Sequence, residues 1–119
     1  MAKELKKYVV TGGAGFIGSN LVDKLCEKGH TVTIIDDLST GKEENINAAA
    51  YHWKQDLSTV DVDTLAQRMK DVDTVFHFAA LARVQPSIEN PLPYNEVNVT
   101  GTLKLLMAAQ KADVRRVVY

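Results

Sequence analysis

Apolar residues alternate between two periods along this chain, and the alternation predicts its elements. Short, nearly continuous apolar runs lie at residues 8–10, 32–35, 51–53, 74–78 and 114–119, each bounded by turn-forming or polar residues. Runs that are continuous rather than alternating predict strands covered on both faces of a parallel sheet. Between them the spacing becomes helical. Ile17, Leu21, Leu25 and Cys26 form one stripe, with Gly29 placed to end that helix. Val62, Leu65, Ala66 and Met69 repeat at the same interval, and a longer helix over residues 94–111 carries Val97, Leu103, Leu106 and Met107. Its stripe is expected to lie on the sheet. The preceding PSIENPLP predicts a proline-rich loop or a helix start.

Strand–helix alternation of this kind predicts an α/β fold, an open, doubly wound parallel sheet of about five strands with right-handed crossovers. Residues 1–119 form a single domain, with no repeat, linker or low-complexity tract. Ligands on such sheets bind beyond the carboxyl ends of the strands, which directs attention to residues 11–18, 36–42, 56–57 and 79–85.

Composition narrows the function classes. A net charge of -1 gives no electrostatic reason to expect nucleic acid or an anionic membrane as partner. No apolar run reaches the length of a membrane span, and the start, MAKELKKYVV, does not read as a secretory signal. The single cysteine, Cys26, excludes an internal disulfide and any multi-cysteine metal site. The expectation is a soluble, cytoplasmic, metal-free domain.

The chemistry begins at TGGAGFIGS, where Gly12, Gly15 and Gly18 fit G-x-x-G-x-x-G between a strand and a helix. Gly12 would turn the chain out of the strand. Gly15 would let a pyrophosphate lie against backbone N–H groups at the positive helix end, and Gly18 would let helix and sheet approach. Spaced glycines alone also occur in ordinary tight turns. The second strand, TVTII, ends at Asp36, where a carboxylate would meet adenosine ribose hydroxyls and repel a 2′-phosphate, favouring NAD over NADP. Asp36 and Asp37 read alternatively as solvated turn residues. No Gly-Lys-Ser/Thr follows, so a P-loop is excluded.

TGGAGFIGSNLVDKLCEKGHTVTIIDDLSTGKEENI and DVDTVFHFAALARVQPSIENPLPYNEVNVTGTLKLLMAA resemble the extended short-chain dehydrogenase/reductase family. Within it the likeness is to NAD-dependent nucleotide-sugar epimerases and dehydratases, especially those of the UDP-glucose 4-epimerase type. The resemblance implies a Rossmann fold with strand order 3-2-1-4-5, truncated relative to the family, with cofactor contacts at Phe16 and Ile17 and a site end lined by Asp37, Leu38, Ser39, Thr40, Gly41 and Lys42. It implies that Asp56 and Leu57 address the adenine; Asp56 reads otherwise as a helix N-cap. It places Phe78, Ala79, Ala80 and Leu81 along the cofactor and Asn98 near it. Some members carry lysine where this chain has Ala82, which leaves no expected phosphate contact for Arg83. His77 in its apolar strand reads as a satisfied core histidine rather than a base. Tyr8, His52 and Trp53 read as packing around the sheet, and Cys26 as a small buried hydrophobe.

The family's chemistry uses a tyrosine with a lysine four residues later, the lysine lowering the phenol pKa so that phenolate can remove a hydroxyl proton. Four residues after Tyr8, Tyr51 and Tyr94 stand Gly12, Gln55 and Asn98, and Tyr119 is the last residue. No catalytic residue is therefore assigned. The expectation is the NAD-binding portion of a UDP-sugar 4-epimerase, inactive alone, with the UDP-sugar bound only in a complete enzyme. The alternatives are a non-catalytic NAD-binding or interaction module and the N-terminal part of a dehydratase. Self-association is expected through the C-terminal edge strand or the 94–111 helix.

Overall fold

A computed structural model of the chain describes residues 5–39, 41–79, 92 and 95–119. Five parallel strands, β1 (Lys7–Thr11), β2 (Thr31–Ile35), β3 (Tyr51–Trp53), β4 (Thr74–His77) and β5 (Arg116–Val118), form one sheet in the order β3-β2-β1-β4-β5. Among the described residues three α-helices connect them: α1 (Phe16–Glu27), α2 (Val62–Arg68) and α3 (Thr102–Lys111). A π-helical segment, Glu96–Gly101, runs directly into α3. This is the doubly wound sheet expected from the apolar pattern, in the strand order that the family resemblance implies.

Successive residues of a strand face opposite sides, and here both sides are covered. Val9, Val75 and Ile35 face a core built with Leu65 and Met69 of the α2 region and Leu105, Ala108 and Ala109 of α3. Val10, Val32 and Ile34 face Val22 of α1, flanked by Leu21, Leu25 and Cys26. Burial pushes the Cys26 thiol pKa up, with Asp23 adding to the effect, as suits a small apolar side chain. Ile17, expected to begin the α1 stripe, is 65 % exposed instead.

The α3 stripe also needs correction. Leu105, Ala108 and Ala109 face the sheet, whereas Leu103, Leu106 and Met107 are about half exposed and lie with Val99 on the outer face. Two small alanines let the helix approach the strands closely, and the larger apolar side chains are left outside. The side chain of Val97 lies outside the described residues.

Chain reversals at the helix ends use left-handed residues. At the end of α1, Gly29 (φ +86°) donates to the Cys26 carbonyl and His30 to Leu25, a Schellman closure. Asp113 (φ +56°) repeats it after α3, with Asp113 donating to Gln110 and Val114 to Ala109. These closures feed the next strand and keep every strand's carboxyl end on the opposite edge, where the glycine loop lies. Tyr8 packs edge-on against His30, and Arg68 stacks over the Trp53 ring at 4.4 Å.

Candidate functional site

Strand order reverses between β1 and β4, so the crevice beyond Thr11 and His77 is the topological switch point. Gly12 turns the chain there in a left-handed conformation (φ +71°). A Cβ on Gly12 would lie 2.8 Å from the Phe78 carbonyl carbon and 2.9 Å from the Ala79 nitrogen, so the turn packs directly on the end of β4. A Cβ on Gly18 would lie 2.2 Å from the Gly12 carbonyl oxygen. Both glycines are thus demanded by the protein's own packing.

Gly15 differs. Among the described residues a Cβ there would meet Gly12 O at 3.3 Å and no other non-neighbouring atom, so none of them occupies the space its hydrogen leaves open. Gly15 is also the N-cap of α1, with no side-chain cap and no acidic residue in the first turn. α2, by contrast, is capped by Asp61, whose carboxylate accepts the Thr64 N–H at 3.0 Å. The Thr64 hydroxyl, first among the causes, holds the Asp61 carboxyl below its usual pKa. An uncapped helix start with positive dipole and an open glycine fits an anion. Phe16 and Ile17, 83 % and 65 % exposed, flank it.

Asp36 is buried and ties the adjoining loop to this turn. Its Oδ2 accepts the Ala14 N–H at 2.9 Å and its Oδ1 the Leu38 N–H at 2.8 Å. The Lys42 N–H and the Asn45 side-chain amide both donate to the Ala14 carbonyl at 3.1 Å. Gly41 closes the same contact, since a Cβ on it would lie 2.9 Å from Asp36 Oδ2. Asp36 is therefore not the solvated turn residue of the alternative reading. Each of its oxygens holds one backbone N–H and retains a second acceptor lone pair. Asp37 does behave as a turn residue, its exposed carboxylate accepting the Ser39 N–H at 2.9 Å. Thr40 lies outside the described residues.

After β3, Asp56 Oδ1 accepts both the N–H and the hydroxyl of Ser58, at 2.8 and 2.7 Å. It caps a single turn, while Asp61 caps α2. Lys104 of α3 donates to the Ser58 carbonyl at 2.7 Å and holds that turn against the helix. Leu57 is 4 % exposed, its side chain in the core with Val60 and Leu65 rather than in the crevice.

On the far side of the crevice, Phe78, Ala79, Asn98 and Thr102 line a cleft of about 170 Å³ with His77 and Tyr119. His77 is 7 % exposed and fully partnered, with Nδ1 2.7 Å from Thr11 Oγ1 and Nε2 2.8 Å from Thr102 Oγ1. Burial lowers its pKa, consistent with a core histidine. Ala80, Leu81, Ala82, Arg83, residues 86–91 and Tyr94 lie outside the described residues. Thr11, Ala14, Asn45, Thr102 and Lys104 enter the site's construction without standing out in the sequence. Only Thr11 carries a signal, as the residue immediately before the glycines. Among the described residues no cluster of His, Cys, Asp or Glu is arranged to hold a metal, and no helix is long and apolar enough to cross a membrane.

A switch-point crevice, an uncapped helix behind an open glycine and a buried carboxylate at the end of β2 together define a dinucleotide-binding α/β domain. Residues 8–119 match the NAD dependent epimerase/dehydratase family, and the chain belongs to that family. It is 42 % identical over 118 residues to UDP-glucose 4-epimerase of Mycolicibacterium smegmatis, covering 95 % of this chain and 37 % of that protein. Two solved structures are similar. UDP-N-acetylglucosamine 4-epimerase from Methanobrevibacter ruminantium, in complex with UDP-N-acetylmuramic acid, superposes with a TM-score of 0.88 at 44 % identity, over 98 % of this chain and 38 % of that one. UDP-glucose 4-epimerase from Thermus thermophilus, in complex with NAD, gives 0.85 at 37 % identity, over 95 % and 36 %. The chain thus spans little more than a third of the length of these relatives.

Proposed function

We propose that this chain is the NAD-binding portion of a nucleotide-sugar 4-epimerase of the UDP-glucose/UDP-galactose type. The observation that carries the reading is the pairing of Gly15, open at an uncapped helix start, with Asp36, anchored on Ala14 of the same turn. The first-turn amides of α1 would hold the pyrophosphate, with Phe16 and Ile17 screening it from water. The remaining lone pairs of Asp36 accept ribose hydroxyls, and its charge disfavours a 2′-phosphate. Asp56 and the Leu57 backbone address the adenine. The Phe78–Ala79 backbone and Asn98 line the opposite wall toward the nicotinamide. When bound, NAD supplies the transient hydride acceptor for sugar C4. The sugar nucleotide is a ligand of the complete enzyme.

Self-association belongs to the same proposal. Val99, Leu103, Leu106 and Met107 present an apolar face on the helix, larger than the Val118–Tyr119 margin of β5. The helix is therefore the favoured surface for a second copy. Isothermal titration with NAD and with ADP-ribose tests the binding reading. Saturable heat from both is expected, and no heat from either, in folded protein, would refute it.

A further inference from the structure

We propose that Thr11, His77 and Thr102 form a positioning chain that sets the β1–β4 crevice, so that His77 governs how tightly ADP-ribose is held without touching it. The functional half of this inference rests on the dinucleotide reading above. The structural half stands on hydrogen counting.

Thr11 and His77 are register partners on the last rungs of β1 and β4. The Thr11 hydroxyl oxygen accepts the Ala79 N–H at 3.1 Å and shares the Phe78 N–H, 3.0 Å away, with the Thr11 backbone carbonyl at 3.1 Å. A hydroxyl has two acceptor sites and one hydrogen. Among the described residues the acceptor that faces this hydrogen is His77 Nδ1, 2.7 Å away, and the other contacts of the oxygen are to N–H donors. Nδ1 must then be unprotonated, and the ring hydrogen sits on Nε2, where it is donated to Thr102 Oγ1 at 2.8 Å. An imidazolium does not fit, because the Thr11 oxygen would face three donors and its own hydrogen would lose its acceptor.

The consequence is mechanical. The Phe78–Ala79 peptide is gripped between the Thr11 hydroxyl and the Gly12 turn that packs against it. Thr102 stands four residues after Asn98, one turn along the same continuous helical stretch. One imidazole therefore links the end of β1, the end of β4 and the helix that carries Asn98. These are the two walls of the crevice. The only other ring near it is that of Tyr119 among the described residues, with centroids 5.8 Å apart.

Three substitutions separate the two arms. In His77→Asn the amide oxygen falls near the place of Nδ1 and keeps the Thr11 arm. In His77→Gln the amide nitrogen falls near the place of Nε2 and keeps the Thr102 arm. His77→Leu keeps neither. Calorimetric ADP-ribose affinity should stay within about threefold of wild type for Asn and fall about tenfold for Gln and Leu. A purely structural histidine would instead lower affinity in step with Tm across all three. Two readings in the ligand-free wild-type chain need no variant or ligand. Imidazole ¹⁵N correlations at neutral pH should show the Nε2–H tautomer, and hydrogen exchange at the Ala79 amide, which among the described residues the Thr11 hydroxyl alone accepts, should be strongly protected. An Nδ1–H tautomer, an imidazolium or a rapidly exchanging Ala79 amide would overturn the chain even if every substitution unfolded the protein. Absence of ADP-ribose binding by wild type would defeat the dinucleotide reading alone, since the tautomer and the amide still decide the chain.

Discussion

Replacing Gly15 and Gly18 separately by alanine should split two properties that a generic tight turn would lose together. At Gly18 the new methyl would lie 2.2 Å from the Gly12 carbonyl oxygen, roughly 1 Å short of ordinary contact. α1 must then move away from β1, an overpacking strain of about 1–3 kcal/mol. For a chain of 119 residues each kcal/mol moves Tm by about 4 °C, so Gly18→Ala should melt about 4–12 °C lower. Gly15 has φ −81° and ψ 175°, an extended conformation open to alanine, and among the described residues its methyl would meet only Gly12 O at 3.3 Å. The weaker N-cap preference of alanine and the smaller entropy of the unfolded chain oppose each other there. Gly15→Ala should therefore melt within about 2 °C of wild type. Its methyl fills the approach to the α1 amides, and NAD affinity should fall at least about tenfold, or 1.4 kcal/mol. Differential scanning calorimetry and isothermal titration on both variants decide the matter. Gly15→Ala binding NAD like wild type, or Gly18→Ala melting like wild type, would refute the reasoning.

Four further outcomes are expected. Asp36→Asn turns one of two N–H acceptors into a donor facing a donor, so it should lose about 1–3 kcal/mol of stability in urea melts and narrow the preference for NAD over NADP in competition titrations. His77 is buried between Thr11, Thr102 and Tyr119 and has a depressed pKa. Its contribution to stability is full above the ordinary histidine pKa and is lost as pH falls from there through the folded value. Tm should fall on acidification below about pH 6.5, and His77→Asn should flatten that dependence, read by scanning calorimetry. Leu103→Glu with Leu106→Lys should abolish concentration-dependent association in light scattering while changing Tm little, because both side chains are about half exposed on the outer face. Asp113→Gly should raise stability by about 0.5 kcal/mol, since the left-handed C′ position suits glycine.

Strands are the most legible feature of the sequence, for a physical reason. A parallel sheet covered on both faces makes Val9, Val10, Val32, Ile34 and Ile35 all apolar, so the runs stand out without periodicity. The glycine turn is equally legible, because close backbone approach leaves only one residue type at Gly12 and Gly18. α3 misleads for the opposite reason. Its sheet-facing positions are partly Ala108 and Ala109, whose small side chains carry little apolar signal, while exposed Leu103, Leu106 and Met107 carry much. Ile17 misleads in the same way at the start of α1. Asp56 and Asp61 both have the chemistry of a cap, and only the structure assigns α2 to Asp61. The anchoring of Asp36 on Ala14 and the Thr11–His77–Thr102 chain depend on contacts between positions far apart in sequence, which no local pattern encodes.

The central claim is a location as much as an affinity: the dinucleotide lies along the strand carboxyl ends, across the β1–β4 crevice. Following backbone ¹⁵N–¹H correlations during titration with NAD tests it most directly. Saturable shifts should concentrate at residues 12–18, 36–41, 56–58 and 78–79, while Lys7, Thr31 and Asp73 at the opposite edge stay still. Saturation without shifts at Gly15 and Asp36, or shifts centred on the Lys7 edge, would contradict the account.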